Sequence, residues 1–182
     1  KSSTLAWKRA YAISKVSTHL PDCPDDLTEL QFAHLAFEPV CHFCWRRKCH
    51  TIMWAAHTRC CSKCGNENFT NHPTKFGMPY EGVPFDRVGI STNGEFFYQN
   101  LFSLRALEDY NREYFSVPAH EKGAWLAKKK EYRHSRVEFA QVCRAWSRRR
   151  DAAQDVMLRK ARRKLRSESN SSNLLPILAH TE

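Results

Sequence analysis

Two Cys-x-x-Cys corners, Cys41-x-x-Cys44 and Cys61-x-x-Cys64, stand sixteen residues apart within the stretch CHFCWRRKCHTIMWAAHTRCCSKC. Each corner offers two thiolates about a tetrahedral edge apart, and the residues between must fold back to bring the corners together. That is the sequence form of a structural zinc site. The expectation is one structural Zn(II) on Cys41, Cys44, Cys61 and Cys64. Cys60 also forms a corner with Cys64, across three residues, but matching two-residue gaps favour Cys61. Cys49, His50, His57 and Cys60 are the alternative ligands, and a second ion would have to draw on them and His42. A redox or disulfide role is the competing reading of the cysteines. A catalytic zinc needs an open coordination position and a base within reach, and no motif here points to one.

Between the corners, Ile52 and Trp54 alternate with Thr51 and Met53. This predicts a strand of a zinc-ribbon or treble-clef-like hairpin, with Trp54 covering the site and a short helix or turn opening at Gly65. A module so small and rich in loops cannot draw enough stability from core area alone, and a metal supplies the remainder.

The flanks read as helix. Residues 3–18 carry Leu5, Ala6, Arg9, Ala10, Ile13 and Val16 near helical spacing. After the breakers Pro21 and Pro24, Thr28 and Gln31 form a capping box, with Leu27 placed to staple against Phe32, for a helix ending near Phe37. Residues 71–118 are loop-rich, with one or two short strands such as GEFFYQ after the Asn93-Gly94 turn and a helix near 103–115. Residues 119–166 form a long basic helix in which Trp125, Tyr132, Phe139, Trp146 and Ala153 recur every seven positions. The positions three further on are too polar for a coiled coil, so the aromatic stripe should dock on the rest of the domain. Residues 167–182 read as a disordered tail. The fold class is therefore mainly α, with a small zinc-stapled β-hairpin module over 38–70 behind a helical segment, 1–37, and a long basic C-terminal helix. One compact unit is expected.

The net charge of +10 lies wholly within residues 121–168, which hold sixteen Lys or Arg against six Asp or Glu. Bunched rather than scattered cysteines fit a reducing, intracellular compartment, cytoplasm or nucleus. No apolar run is long enough to span a membrane. The chain opens at Lys1 without an initiator Met and reads as a fragment or processed chain.

With these pieces in place, the chain resembles the zinc-binding region of F-box proteins of basidiomycete fungi. The matching residues are Ser2, Ser3, Trp7 and Lys8; Leu20, Pro21, Pro24, Leu27, Glu29, Ala33, Leu35 and Phe37; Cys41 and Cys44; Trp54; and Arg59, Cys61 and Cys64. The likeness covers residues 2–66 and continues loosely through the basic helix. Where that family has the first Arg of R-x-R-x-C, this chain has His57, and Cys60 is an extra thiol. The resemblance implies a substrate receptor of a cullin-RING (SCF-type) ubiquitin ligase. Its F-box would lie upstream of Lys1 and dock on the Skp adaptor, and the present residues would recruit a target protein. In that scheme the zinc is structural and the chain is not an enzyme.

The alternative is a zinc-containing nucleic-acid-binding protein that uses the basic C-terminal helix, whose clustered positive charge would give salt-sensitive affinity. Catalysis has the least support. The chain lacks a phosphate-cradling glycine loop, a G-x-S-x-G and an H-E-x-x-H, and Cys143 lies mid-helix, where a lone cysteine is a packing residue.

Overall fold

The structure, a computed structural model, describes residues 2–92 and 94–172. It is mainly helical, with two small antiparallel sheets and a long C-terminal helix. Helix α1 (Ser2–Thr18) is followed by α2 (Glu29–Phe37). Gln31 N–H donates to the Thr28 hydroxyl and the Gln31 amide oxygen accepts the Thr28 N–H, so the predicted capping box starts α2. On α2, Phe32, Ala33, Leu35 and Ala36 turn inward. Completely burying Phe32 and Leu35 contributes roughly 1.5–3 kcal/mol each. On α1 the outcome differs from the expected apolar stripe. Tyr11 is buried, whereas Ile13 and Val16 are exposed.

The hairpin is shorter than predicted. Strands β1 (Ile52–Met53) and β2 (Thr58–Arg59) pair antiparallel, Ile52 opposite Arg59 and Met53 opposite Thr58. The chain turns at once over residues 54–57, so the alternation expected through Trp54 ends at Met53. Met53, not Trp54, packs with the cysteines. Trp54 instead meets Phe32 edge-on at 6.3 Å. Helix α3 (Ser62–Asn68) begins three residues before the predicted Gly65, because Cys61 takes the N-cap position.

The segment expected to be mostly loop holds a regular sheet. Strands β3 (Phe69–Thr70), β4 (Phe85–Thr92) and β5 (Glu95–Ser103) lie in the order β3-β5-β4. The β4–β5 ladder runs from Phe85 opposite Phe102 to Thr92 opposite Glu95. Its tip is open, with Phe96, Phe97 and Tyr98 exposed, and its base is anchored by buried Phe102. Ser103 caps α4 (Leu104–Ser116) by accepting the Ala106 N–H at 3.4 Å. Leu107 and Tyr110 of α4 pack with Phe102, Met78 and Val83 in a second core cluster.

Helix α5 (Lys122–Ser172) outruns its predicted end, and residues 167–172, expected to be disordered, continue it. The rest of the expected tail lies outside the described residues. Part of the aromatic stripe docks as anticipated. Trp125 packs on Tyr110 and Tyr114, at 4.7 and 5.9 Å, and Phe139 on Phe32 at 5.8 Å, while Tyr132 stays exposed. Gly82 lets the preceding loop reach these helices. A Cβ there would lie 2.7 Å from both Lys129 Cβ and Tyr110 Oη. Instead of one compact unit the chain divides into two, Lys1–Arg144 and Ala145–Glu182. Among the described residues the second is the continuation of α5, whose backbone bonds are local by construction. No helix among the described residues is long and apolar enough to cross a membrane.

Candidate metal centre

The first corner is a tight turn closed by its own backbone. Trp45 N–H donates to the Cys41 carbonyl and Cys41 N–H to the Arg46 carbonyl, both at 2.9 Å, and Val40 bridges to Arg47. The turn puts Trp45 and Lys48 in the left-handed region, at φ 58 and 61°. That region costs a side-chain-bearing residue about 1–2 kcal/mol. The second corner uses the start of α3, with Cys61 as N-cap and Cys64 buried in the helix. The β1–β2 hairpin brings the two corners together, with His42 N–H donating to the Arg59 carbonyl at 2.8 Å.

The result is a cluster of the Cys41, Cys44, Cys61 and Cys64 sulfurs, all within 4.8 Å of one another, which could hold a metal ion. Cys44 and Cys61 Sγ are 3.8 Å apart, and Cys61 N–H points at Cys41 Sγ from 3.5 Å. Cys41 and Cys64 are buried and Cys44 is exposed, so the cluster sits at the surface with its inner side on a core of Met53, Phe69, Cys49 and Cys60.

The backbone prepares these sulfurs unequally. Burial pushes the Cys41 thiol up, but the backbone N–H groups of Cys44, Cys61 and Phe43 outweigh it and bring the thiol down to about 6. The Cys64 N–H, in the first turn of α3, lowers the Cys61 thiol. Cys64 moves upward through burial and the crowding of neighbouring sulfurs. Four thiolates repel one another, and a cation at their centre removes the conflict.

The other ligand candidates point elsewhere. Cys60 is 1 % exposed and its thiol is pushed up to about 12 by burial. It packs in the core beside the cluster, next to Gly65. Cys49 is buried in the same core, and His50 is exposed. His42 stacks near His34 at 5.3 Å, its Nδ1 turned toward the Arg59 N–H at 3.5 Å. His57 turns away from the sulfurs toward α5. Its Nδ1 lies 3.0 Å from the Arg136 guanidinium and 3.7 Å from Asp26, and its ring meets Phe139 edge-on. With Arg136 donating to Nδ1, the ring proton belongs on Nε2. Burial first, then Arg136, lowers the His57 pKa to about 4, against an opposing pull from Asp26.

Three charged residues hold the hairpin in place. Arg59, 3 % exposed, donates to the carbonyls of Cys49 at 2.9 Å, Leu35 at 2.8 Å and Ala36 at 3.2 Å. It thereby caps the C-terminal turn of α2, where a cation suits both the unpaired carbonyls and the helix dipole. Asp86 on β4, 2 % exposed, accepts the N–H groups of Ala55 and Ala56 and faces Arg144 at 3.7 Å. Burial raises its pKa, and the Ala55 N–H, Arg144 and the Ala56 and Trp54 N–H groups oppose that rise. Arg136 donates to the Ala55 carbonyl, at 3.2 Å from Nε and 2.5 Å from Nη2, and pairs with Asp26. Both faces of the Trp54–His57 turn are therefore bonded to distant elements. Sequence reasoning singled out neither Asp86 nor Arg136, since an isolated Asp-Arg pair and one arginine among many carry no local signal. Cys143, taken as a packing residue, is fully buried, and burial pushes its thiol up to about 12.

Compared with known proteins, the chain matches no family model, no curated protein and no solved structure.

Proposed function

We propose that the chain is the non-catalytic, zinc-stapled protein-interaction region of an F-box-type substrate receptor for a cullin-RING (SCF-type) ubiquitin ligase. One observation carries this reading. Residues that make the resemblance also form and brace the cysteine cluster: Cys41, Cys44, Cys61 and Cys64 bring their sulfurs within 4.8 Å of one another, and buried Arg59, in the hairpin between the corners, donates to the Leu35 carbonyl of α2.

Zinc is the ion that best suits the donors. Four thiolates around Zn(II) at about 2.3 Å put sulfurs about 3.8 Å apart along a tetrahedral edge. The Cys44–Cys61 separation of 3.8 Å supports that fit. A site with four protein ligands has no position for a reacting water, so the ion would contribute folding energy and no chemistry. One corner in a knuckle, a β-hairpin, and the second corner at a helix start support the treble-clef-like form over the zinc ribbon. Thiolate ligation also favours a reducing, intracellular setting, cytoplasm or nucleus.

The test is expression of the gene's full product with an epitope tag and co-purification with the Skp adaptor. An intact upstream F-box that fails to bring down the adaptor would sink the ligase assignment. Elemental mass spectrometry of the reduced chain should find one zinc per chain, with loss of helical circular dichroism on chelation.

The alternative, nucleic-acid binding, is favoured by one observation. Residues 151–168 of α5 are exposed throughout and hold Arg159, Lys160, Arg162, Arg163, Lys164 and Arg166. Binding to random duplex that weakens steeply with salt would support it, and no salt dependence would dismiss it.

A further inference from the structure

The first corner does more than supply two sulfurs. Its turn displays Phe43, Trp45, Arg46, Arg47 and Lys48, all exposed. Trp45 is 71 % exposed, and among the described residues no aromatic ring packs against it. It also occupies a left-handed backbone position, φ 58°, that glycine would adopt without strain. A large apolar side chain that is strained in the backbone and buries little of its surface within the chain does not stabilise the fold. Arg46, Arg47 and Lys48 pair with no acidic group among the described residues. The second aromatic, Phe43, lines a cleft of about 660 Å³ together with Ala55, Thr58, Val83, Tyr132 and Arg136. The cleft's own charges are largely paired, Lys129 with Glu113 and Arg136 with Asp26.

From this juxtaposition we infer that the knuckle tip is the recruiting surface, and that it takes an acidic protein segment bearing an apolar side chain. The acidic groups face Arg46, Arg47 and Lys48, Trp45 covers the segment, and the apolar side chain enters the cleft at Phe43. Tryptophan and arginine are the residue types that dominate binding energy at protein interfaces. The corner's backbone bonds hold the tip in shape before a partner arrives, which lowers the ordering cost of association. The inference rests on the proposed recruiting role and names the class of segment recruited.

The test uses the zinc-loaded chain and two dye-labelled probes, a peptide of repeated Glu-Asp-Leu and an oligothymidylate, followed by fluorescence anisotropy at near-physiological salt. The wild type should bind the peptide more tightly than the oligonucleotide. Trp45→Gly should weaken peptide binding at least about tenfold without lowering the melting temperature, since glycine relieves the backbone strain. The R46E/R47E/K48E variant keeps Trp45 and should abolish binding, so the charge requirement is read separately. Peptide affinity unchanged in either variant, or absent in the wild type, overturns the inference. Tighter oligonucleotide binding that Trp45→Gly weakens also overturns it, because the tip would then be a base-stacking platform. Co-purification of the full product with the Skp adaptor does not involve Trp45. A product that binds peptide but no adaptor refutes the ligase assignment alone, and one that binds adaptor but no peptide refutes the recruiting surface alone.

Discussion

Asp86 Oδ1 accepts the backbone N–H of Ala55 at 3.0 Å, joining β4 to a turn thirty-one residues earlier in the chain. Oδ2 takes the next N–H, of Ala56, at 3.1 Å. One carboxylate therefore fixes the turn of the hairpin that joins the two cysteine corners. Asp86→Ala leaves two N–H groups and Arg144 without it, and should lower stability by about 2–4 kcal/mol. Asp86→Asn, which keeps an acceptor, should cost less. Urea unfolding midpoints of the two variants against wild type measure the difference.

The sulfur cluster separates ligands from neighbours. Cys41→Ser and Cys64→Ser should lose the metal and unfold residues 38–70. Cys60→Ser should retain it, at a cost of about 1–2 kcal/mol for a hydroxyl placed in the core. Metal content by elemental mass spectrometry, read beside circular dichroism, checks both. Metal loss in Cys60→Ser would mean that Cys60, not Cys61, is the ligand.

His57 makes stability depend on pH. Its folded pKa, about 4, lies below the unfolded value of 6.5, so the unfolded chain binds the proton more tightly. The contribution is complete above pH 6.5 and is lost as pH falls toward 4. The shift corresponds to about 3 kcal/mol at most. Asn tolerates the left-handed backbone of His57, φ 49°, and does not titrate. Between pH 6.5 and 4, wild type should lose stability relative to His57→Asn, measured by denaturant unfolding at each pH. Parallel curves would refute this role for His57.

Gly82 tests the seat of the loop against α4 and α5. A methyl group there meets Lys129 Cβ and Tyr110 Oη at 2.7 Å, well inside contact distance. Gly82→Ala should lower stability by about 1–3 kcal/mol with the metal retained. Thermal melts and metal content together distinguish this from damage to the centre.

The features legible in the sequence were those written in short-range spacing. The two Cys-x-x-Cys corners, the Thr28–Gln31 box and the heptad-spaced Trp125 and Phe139 each need only a few neighbouring residues to express themselves, and each took the expected local form. The strand expected at GEFFYQ is the first part of β5, but its partner β4 and the full length of the ladder were not legible, because Gly89 interrupts the apolar pattern of β4. Helix α5 ran past its predicted end because Ser- and Asn-rich residues mark disorder only as a compositional tendency.

The sequence by itself determined that two cysteine corners stand ready to meet and favoured Cys61 over Cys60, because a two-residue gap is a local geometric constraint. It left open where Trp54, His57 and the extra cysteines point. Only the tertiary structure decided that Trp54 packs on Phe32, that His57 faces Arg136, and that Cys60 belongs to the core. It also decided that Asp86 and Arg136 would clasp one turn from two sides. These outcomes depend on groups dozens of residues apart arriving at one place. Burial and hydrogen-bond satisfaction, which no local spacing records, select among the arrangements the chain could take.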